Sequence, residues 1–132
     1  MSTTTSLPPA PPAATVSIGI VVIGRNEGRR LVDCLTSVLG RGKTAVYVDS
    51  GSTDDSVATA ARMGATVVLM DRGARFSAAR ARNLGFAQLM HEAPNTTFVQ
   101  FIDGDCQLQP DWISAATAFL DQNPDVALVC GR

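Results

Sequence analysis

Histidine is nearly missing from this chain: His91 is the only one in 132 residues. That excludes a zinc centre built on histidines, and it leaves His91 as the sole candidate base for a Ser-His-Asp triad. His91 falls at the end of an expected helix, beside Glu92 and Pro94, where a solvated helix terminus accounts for it. Cysteine is scarce and odd in number. Cys34, Cys106 and Cys130 are far apart, and no pair has metal-ligand or thioredoxin-like spacing, so free thiols in a reducing, cytoplasmic setting are expected. No apolar run approaches the roughly 20 residues a membrane span requires, which limits any membrane association to a peripheral one at the inner face. A surplus of charge is missing too. The net charge of −1 and pI of about 5.7 give no reason to expect nucleic acid as a partner. Lys43 is the only lysine among 11 basic residues, and arginine forks suit phosphate and carboxylate better than ammonium groups do.

The first fourteen residues, Met1 to Ala14, carry no charged side chain. Without a basic segment or a long apolar run they do not form a secretory signal, and residues 1–15 are expected to be a disordered leader. From Val16 onward two kinds of segment alternate. Val16 to Ile23 is a continuous β-branched run, as in a strand buried on both faces. Asn26 is placed to cap a helix carrying Leu31, Leu35, Val38 and Leu39, which Gly40 and Gly42 would end. Ala45 to Val48 is a second strand. Ser52 and Asp55 form a capping-box pattern before a second helix, with Val57, Ala60 and Ala61 facing inward. Ala65 to Met70 is a third strand, Ser77 to His91 a third helix, and Thr97 to Ile102 a fourth strand. Pro110 suits the first turn of a fourth helix that would bury Trp112 or Ile113, Ala116, Phe119 and Leu120. Val126 to Val129 would begin a fifth strand. A chain of this length buries one core, and strict β-α alternation with short links implies an α/β fold: a three-layer α/β/α arrangement around a mostly parallel sheet.

Ligands of such sheets bind beyond the carboxyl ends of the strands, and the polar residues cluster there. Gly24-Arg25-Asn26-Glu27 follows strand one, Asp49-Ser50-Gly51 follows strand two, and Asp103-Gly104-Asp105 follows strand four. Residues two apart on an extended chain point the same way, so Asp103 and Asp105 can address one site. Two carboxylates so close repel each other unless a cation lies between them. Mg²⁺ or Mn²⁺ accepts one or two carboxylates and completes its shell with water and substrate phosphates, which makes these residues the metal candidates. Asp49, at the end of strand two, is placed to accept hydrogen bonds from a base or ribose. Arg75, Arg80 and Arg82 open the third helix at the end where the macrodipole disfavours cations, a conflict that a bound anion would relieve.

In this order the clusters resemble the family 2 glycosyltransferases, whose domain has the Rossmann-like GT-A fold. The matching stretches are Val21 to Glu27, Val48 to Asp54, Ala81-Arg82-Asn83-Leu84-Gly85, and Phe101 to Asp105, and the likeness extends from about Val16 to Arg132. The resemblance implies that the chain transfers a sugar from a nucleotide-diphospho-sugar donor, with a divalent metal, to an acceptor not identified here. It implies that Gly24, Arg25, Glu27 and Asp49 line the nucleobase and ribose pocket and that Arg82 approaches the base or diphosphate. Asp103 would contact ribose or metal, and Asp105 would be the principal metal ligand. Three positions depart from the pattern. Gly24 and Arg25 stand where many members have proline and an aromatic residue, which makes Arg25 a candidate to stack on the base, and Ser50 stands where many have a second aspartate. In the family the acceptor half and the catalytic base follow the fifth strand, so both are expected beyond Arg132, and no residue of this chain is nominated as the base.

Two other classes share features with this sequence. A sugar-phosphate nucleotidyltransferase also uses such a sheet and a metal, but Gly24 to Gly28 is poor in glycine for its phosphate loop. A receiver-like module would place an aspartate after strand three, where Asp71 stands, but it would also pair acidic residues after strand one, where Glu27 stands alone. A chain that binds donor without turning it over is the remaining alternative.

Overall fold

The computed structural model describes residues 15–39, 44–71, 73 and 75–131. Apart from Thr15, the expected leader lies outside them, as do the helix-ending Gly40 and Gly42. Among the described residues four strands and four helices alternate: β1 (Ile18–Gly24), α1 (Arg29–Leu39), β2 (Ala45–Asp49), α2 (Ser56–Arg62), β3 (Thr66–Leu69), α3 (Ala78–Glu92), β4 (Phe98–Asp103) and α4 (Trp112–Gln122). All described strand pairs are parallel, in the order β3-β2-β1-β4. Among the described residues no helix is long and apolar enough to cross a membrane.

The strand order explains where each helix lies. Winding from β1 to β2 to β3 proceeds in one direction, and right-handed crossovers place α1 and α2 on the same face. There Leu31, Cys34, Leu35 and Val38 of α1 and Ala60 of α2 pack on Ile20, Val22, Ala45 and Tyr47. To set β4 on the far side of β1 the chain must reverse, so α3 crosses the opposite face. Its Ala81 and Leu89 join Val21, Ile23, Val46 and Val48. These two sets account for the β-branched runs of β1 and β2, which are buried on both faces. The three-layer Rossmann-like arrangement is thus the one expected. Its point of reversal lies between β1 and β4, and there the strand ends part to leave a crevice.

Close approach of α3 depends on glycine. A Cβ on Gly85 would lie 2.4 Å from Val21 Cγ1 and 2.9 Å from Val48 Cγ2. Both valines belong to central strands and have stiff χ1 angles, so they cannot swing aside. Gly85→Ala is therefore expected to destabilise the protein by about 2 kcal/mol through overpacking, even though alanine has the better helix propensity. Urea titration would show this as a lower midpoint at constant slope.

Four details differ from the sequence expectation. Val126 to Val129 forms no strand. Val126 turns back on Asn123, and Gly131 lies against the Trp112 ring, so the segment returns along α4 and β4 pairs with β1 alone among the described residues. Without a neighbour to complete a ladder, an extended apolar run is not a strand. Phe119 is 48% exposed, and Ile113 is the residue α4 buries. α2 turns Ser56, Thr59 and Ala60 inward and leaves Ala61 exposed. Finally, Asn26 and Ser52 give their side chains to loop contacts and not to helix caps, and Asp55 stands at the N-cap position of α2 without a side-chain cap bond.

Candidate functional site

The carboxyl ends of β1, β2 and β4 open into one cleft of about 330 Å³, lined by Ile23, Gly24, Glu27, Ser50, Phe76, Ser77, Ala78, Asp103 and Asp105. Parallel pairing brings the ends together: Gly24 is in register with Asp49, and Ile23 with Asp103. The first loop is tied to the second by side chains far apart in sequence. Asn26, with φ of 54°, takes the left-handed conformation that asparagine tolerates. Its Oδ1 accepts from the amides of Thr53 (2.7 Å) and Asp54 (3.3 Å), while its own amide donates to Ser52 Oγ (2.9 Å). The Gly28 amide, also at positive φ, donates to Asp54 Oδ2 at 3.2 Å. Asp54 Oδ1 accepts from the Ser56 amide at the start of α2, so Asp54, rather than Ser52, satisfies the helix end. Hydrogen bonding with Ser56, from its side chain first and then its amide, and after these with the Gly28 amide, holds the Asp54 carboxyl below the usual range.

Asp49 is only 3% exposed and does not line the cleft. Its Oδ2 accepts from the amides of Gly51 (3.0 Å) and Ser52 (2.8 Å), and its Oδ1 from the hydroxyls of Tyr47 and Ser52. Burial, and after it the charge of Asp49, pushes the Tyr47 hydroxyl above its ordinary pKa, so it stays a donor. In this structure Asp49 orders the second loop.

Asp103 and Asp105 both reach the cleft, although Gly104 and Asp105 form a turn and not the extended strand end expected. The turn is fixed from below. The Gly104 amide donates to Ile23 O at 2.7 Å; the Asp103 carbonyl accepts from the Cys106 amide at 3.0 Å and from Cys34 Sγ at 3.6 Å. Cys34 is buried in α1, and desolvation, reinforced by nearby acidic groups, raises its pKa to about 12, so it is a protonated structural donor. Glu27 packs on the same turn: a Cβ on Gly104 would lie 3.3 Å from Glu27 Cγ. Glu27 Oε2 lies 2.9 Å from Arg30, yet it takes no properly aligned hydrogen bond. Arg82 Nη2, from the second turn of α3, donates to Asp103 Oδ1 at 2.9 Å. The guanidinium thus neutralises one of the two aspartates. Arg75 and Arg80 are exposed near the same helix start.

The sequence pattern did not single out Phe76. It is 39% exposed on the cleft wall, and Arg25 stacks on it with Cζ 5.6 Å from the ring centroid. Arg25 was expected to stack, but on a ligand. The one signal available in the sequence was an aromatic residue in the stretch from Asp71 to Ser77, which has no other large apolar side chain.

The site therefore brings carboxylates and an aromatic ring to one cleft, with an arginine paired to one of the carboxylates, at the reversal point of a parallel sheet. The profile of glycosyl transferase family 2 matches residues 19–132, and the chain belongs to that family.

Proposed function

We propose that the chain binds the nucleotide-diphospho-sugar donor of a glycosyl transfer reaction and carries the divalent-metal site for it. The observation that supports this most is the convergence of Asp103, Asp105 and Glu27 on one cleft with Arg82 at its side. Among the described residues no three acidic, histidine or cysteine side chains form a cage for an ion. Two carboxylates are what Mg²⁺ or Mn²⁺ takes from a protein when the rest of its shell is water and phosphate. The donor set thus fits an ion that arrives with a diphosphate, held by Asp105 and Asp103. Such an ion supplies Lewis-acid stabilisation of the departing nucleoside diphosphate.

The chain's own residues have separable tasks. Arg82, paired with Asp103 here, lies within reach of phosphate oxygens and offsets charge developing on the leaving group. Gly24 presents bare backbone to the cleft; a Cβ there would meet Glu27 Cγ at 3.0 Å. Glu27 lines the cleft, and its carboxylate is the acceptor there for a ribose hydroxyl. Asp49 acts on the nucleotide through the loop it orders. The acceptor and the base that deprotonates it are assigned to no residue of this chain.

Calorimetry with nucleoside diphosphates, with and without Mn²⁺, tests the proposal. Binding of the two partners should be coupled: affinity for nucleotide should rise with Mn²⁺, and affinity for Mn²⁺ should rise by the same factor with nucleotide. Folded chain that binds no nucleoside diphosphate in Mn²⁺ would refute it.

A further inference from the structure

We infer that the Phe76 ring is the surface on which the base of the donor stacks. This rests on the donor-binding reading above and assigns a residue that the sequence pattern passes over. Phe76 belongs to neither hydrophobic cluster of the core, although it is one of only five phenylalanines in the chain. Its position is nevertheless fixed from two directions. The Arg25 guanidinium stacks on the ring. Gly51 lies against the ring edge, so close that a Cβ there would stand 3.2 Å from Cζ. Gly51 has φ of 92°, a conformation that favours glycine, so the turn after β2 supplies the bare backbone this contact needs. Arg25 is not among the cleft-lining residues, whereas Phe76 is. With 39% of Phe76 exposed on the cleft wall, the ring keeps a surface open to a ligand there.

An aromatic ring held at the lip of a polar cleft, and not used by the core, is suited to a planar ligand group. Ser50, Ser77 and Gly24 line the cleft beside it, and Asp103, Asp105 and Glu27 line the same cleft. A nucleoside diphosphate laid along this cleft has its base against Phe76 and its phosphates at the carboxylates that share the metal. Stacking of this kind accepts any base, because every base has a π face. Phe76 thus supplies affinity for the base without choosing among bases.

The experiment compares wild type with Phe76→Ala, Phe76→Leu, Phe76→Tyr and Phe76→Trp in Mn²⁺. The probes are UDP, GDP and dTDP, with inorganic pyrophosphate as the probe that has no base. For the best-binding nucleotide, Phe76→Ala should weaken binding by about tenfold to a hundredfold, the range for loss of one stacked base. Pyrophosphate binding should stay within about twofold, since that part of the ligand does not touch the ring. Tyrosine and tryptophan should restore nucleotide binding, and leucine should not. If leucine restores it, if Phe76→Ala leaves nucleotide binding unchanged, or if pyrophosphate binding falls in parallel, the ring supports the loop and not the base, and the inference is wrong. Wild-type chain that binds neither nucleotide nor pyrophosphate would instead overturn the donor-binding reading, and this inference with it.

Discussion

Asp105→Asn is expected to abolish the Mn²⁺-dependent part of nucleotide binding, with a loss of about 100-fold or more in affinity measured in saturating Mn²⁺. The substitution is isosteric and removes a single charge. Asp105 is exposed and sits in a turn held by the Gly104 and Cys106 amides, so the fold should not notice: melting temperature and far-ultraviolet circular dichroism should match wild type. In EDTA the variant and wild type should bind nucleotide equally weakly, because what remains is contact with the base and ribose. Asp103→Asn has a different expected pattern. Asp103 already shares its charge with Arg82 across 2.9 Å, so its loss both weakens the metal site and releases a guanidinium toward phosphate. These effects oppose each other, and the net loss should be smaller than at Asp105. Equal Mn²⁺ dependence in wild type and Asp105→Asn would remove Asp105 from the metal site.

The layers and the strand ends were legible in the sequence because they depend on periodicity and on short-range chain reversal. β1 and β2 are continuous apolar runs, and the three polar clusters follow strands one, two and four directly. What was illegible depends on contacts between segments distant in sequence. Asn26 and Ser52 carry the residue types of helix caps, and capping was the local expectation. They are 26 positions apart and bond to each other's loops instead, because parallel pairing of β1 with β2 brings those loops side by side. Asp49 has the type and position of a ligand residue, but whether its oxygens were already committed depended on Tyr47 and Ser52. The Val126 to Val129 run has strand composition, but composition cannot supply a neighbouring edge. Arg25 looked like a stacking residue and is one; its partner Phe76 lies 51 positions on, across the gap between β3 and α3.

Asp49→Ala is expected to cost about 3 kcal/mol of folding stability, the largest effect of any single side chain at the site. The reasoning is a count of donors. Removing the carboxylate strands the Tyr47 hydroxyl, buried at 0% exposure, together with the Gly51 amide, the Ser52 amide and the Ser52 hydroxyl. A stranded buried donor costs roughly 1–3 kcal/mol. The two at Ser52 sit on a half-buried loop that water reaches, which holds the total near the lower end. Asp49→Asn should be far milder, at about 1 kcal/mol, because the amide oxygen can still accept from the Gly51 and Ser52 amides while its NH₂ faces two hydroxyls able to turn and accept. Urea midpoints at constant slope would give the ranking. The same pair of variants separates the two roles an aspartate can have here. If Asp49 acts through the loop, nucleotide affinity should follow stability, nearly lost in alanine and nearly kept in asparagine. If asparagine folds as well as wild type but binds nucleotide more than about tenfold more weakly, the carboxylate touches the ligand itself, because a hydrogen bond to a charged acceptor is worth about that much. The four donors seen on Asp49 would then have to rearrange when the donor binds.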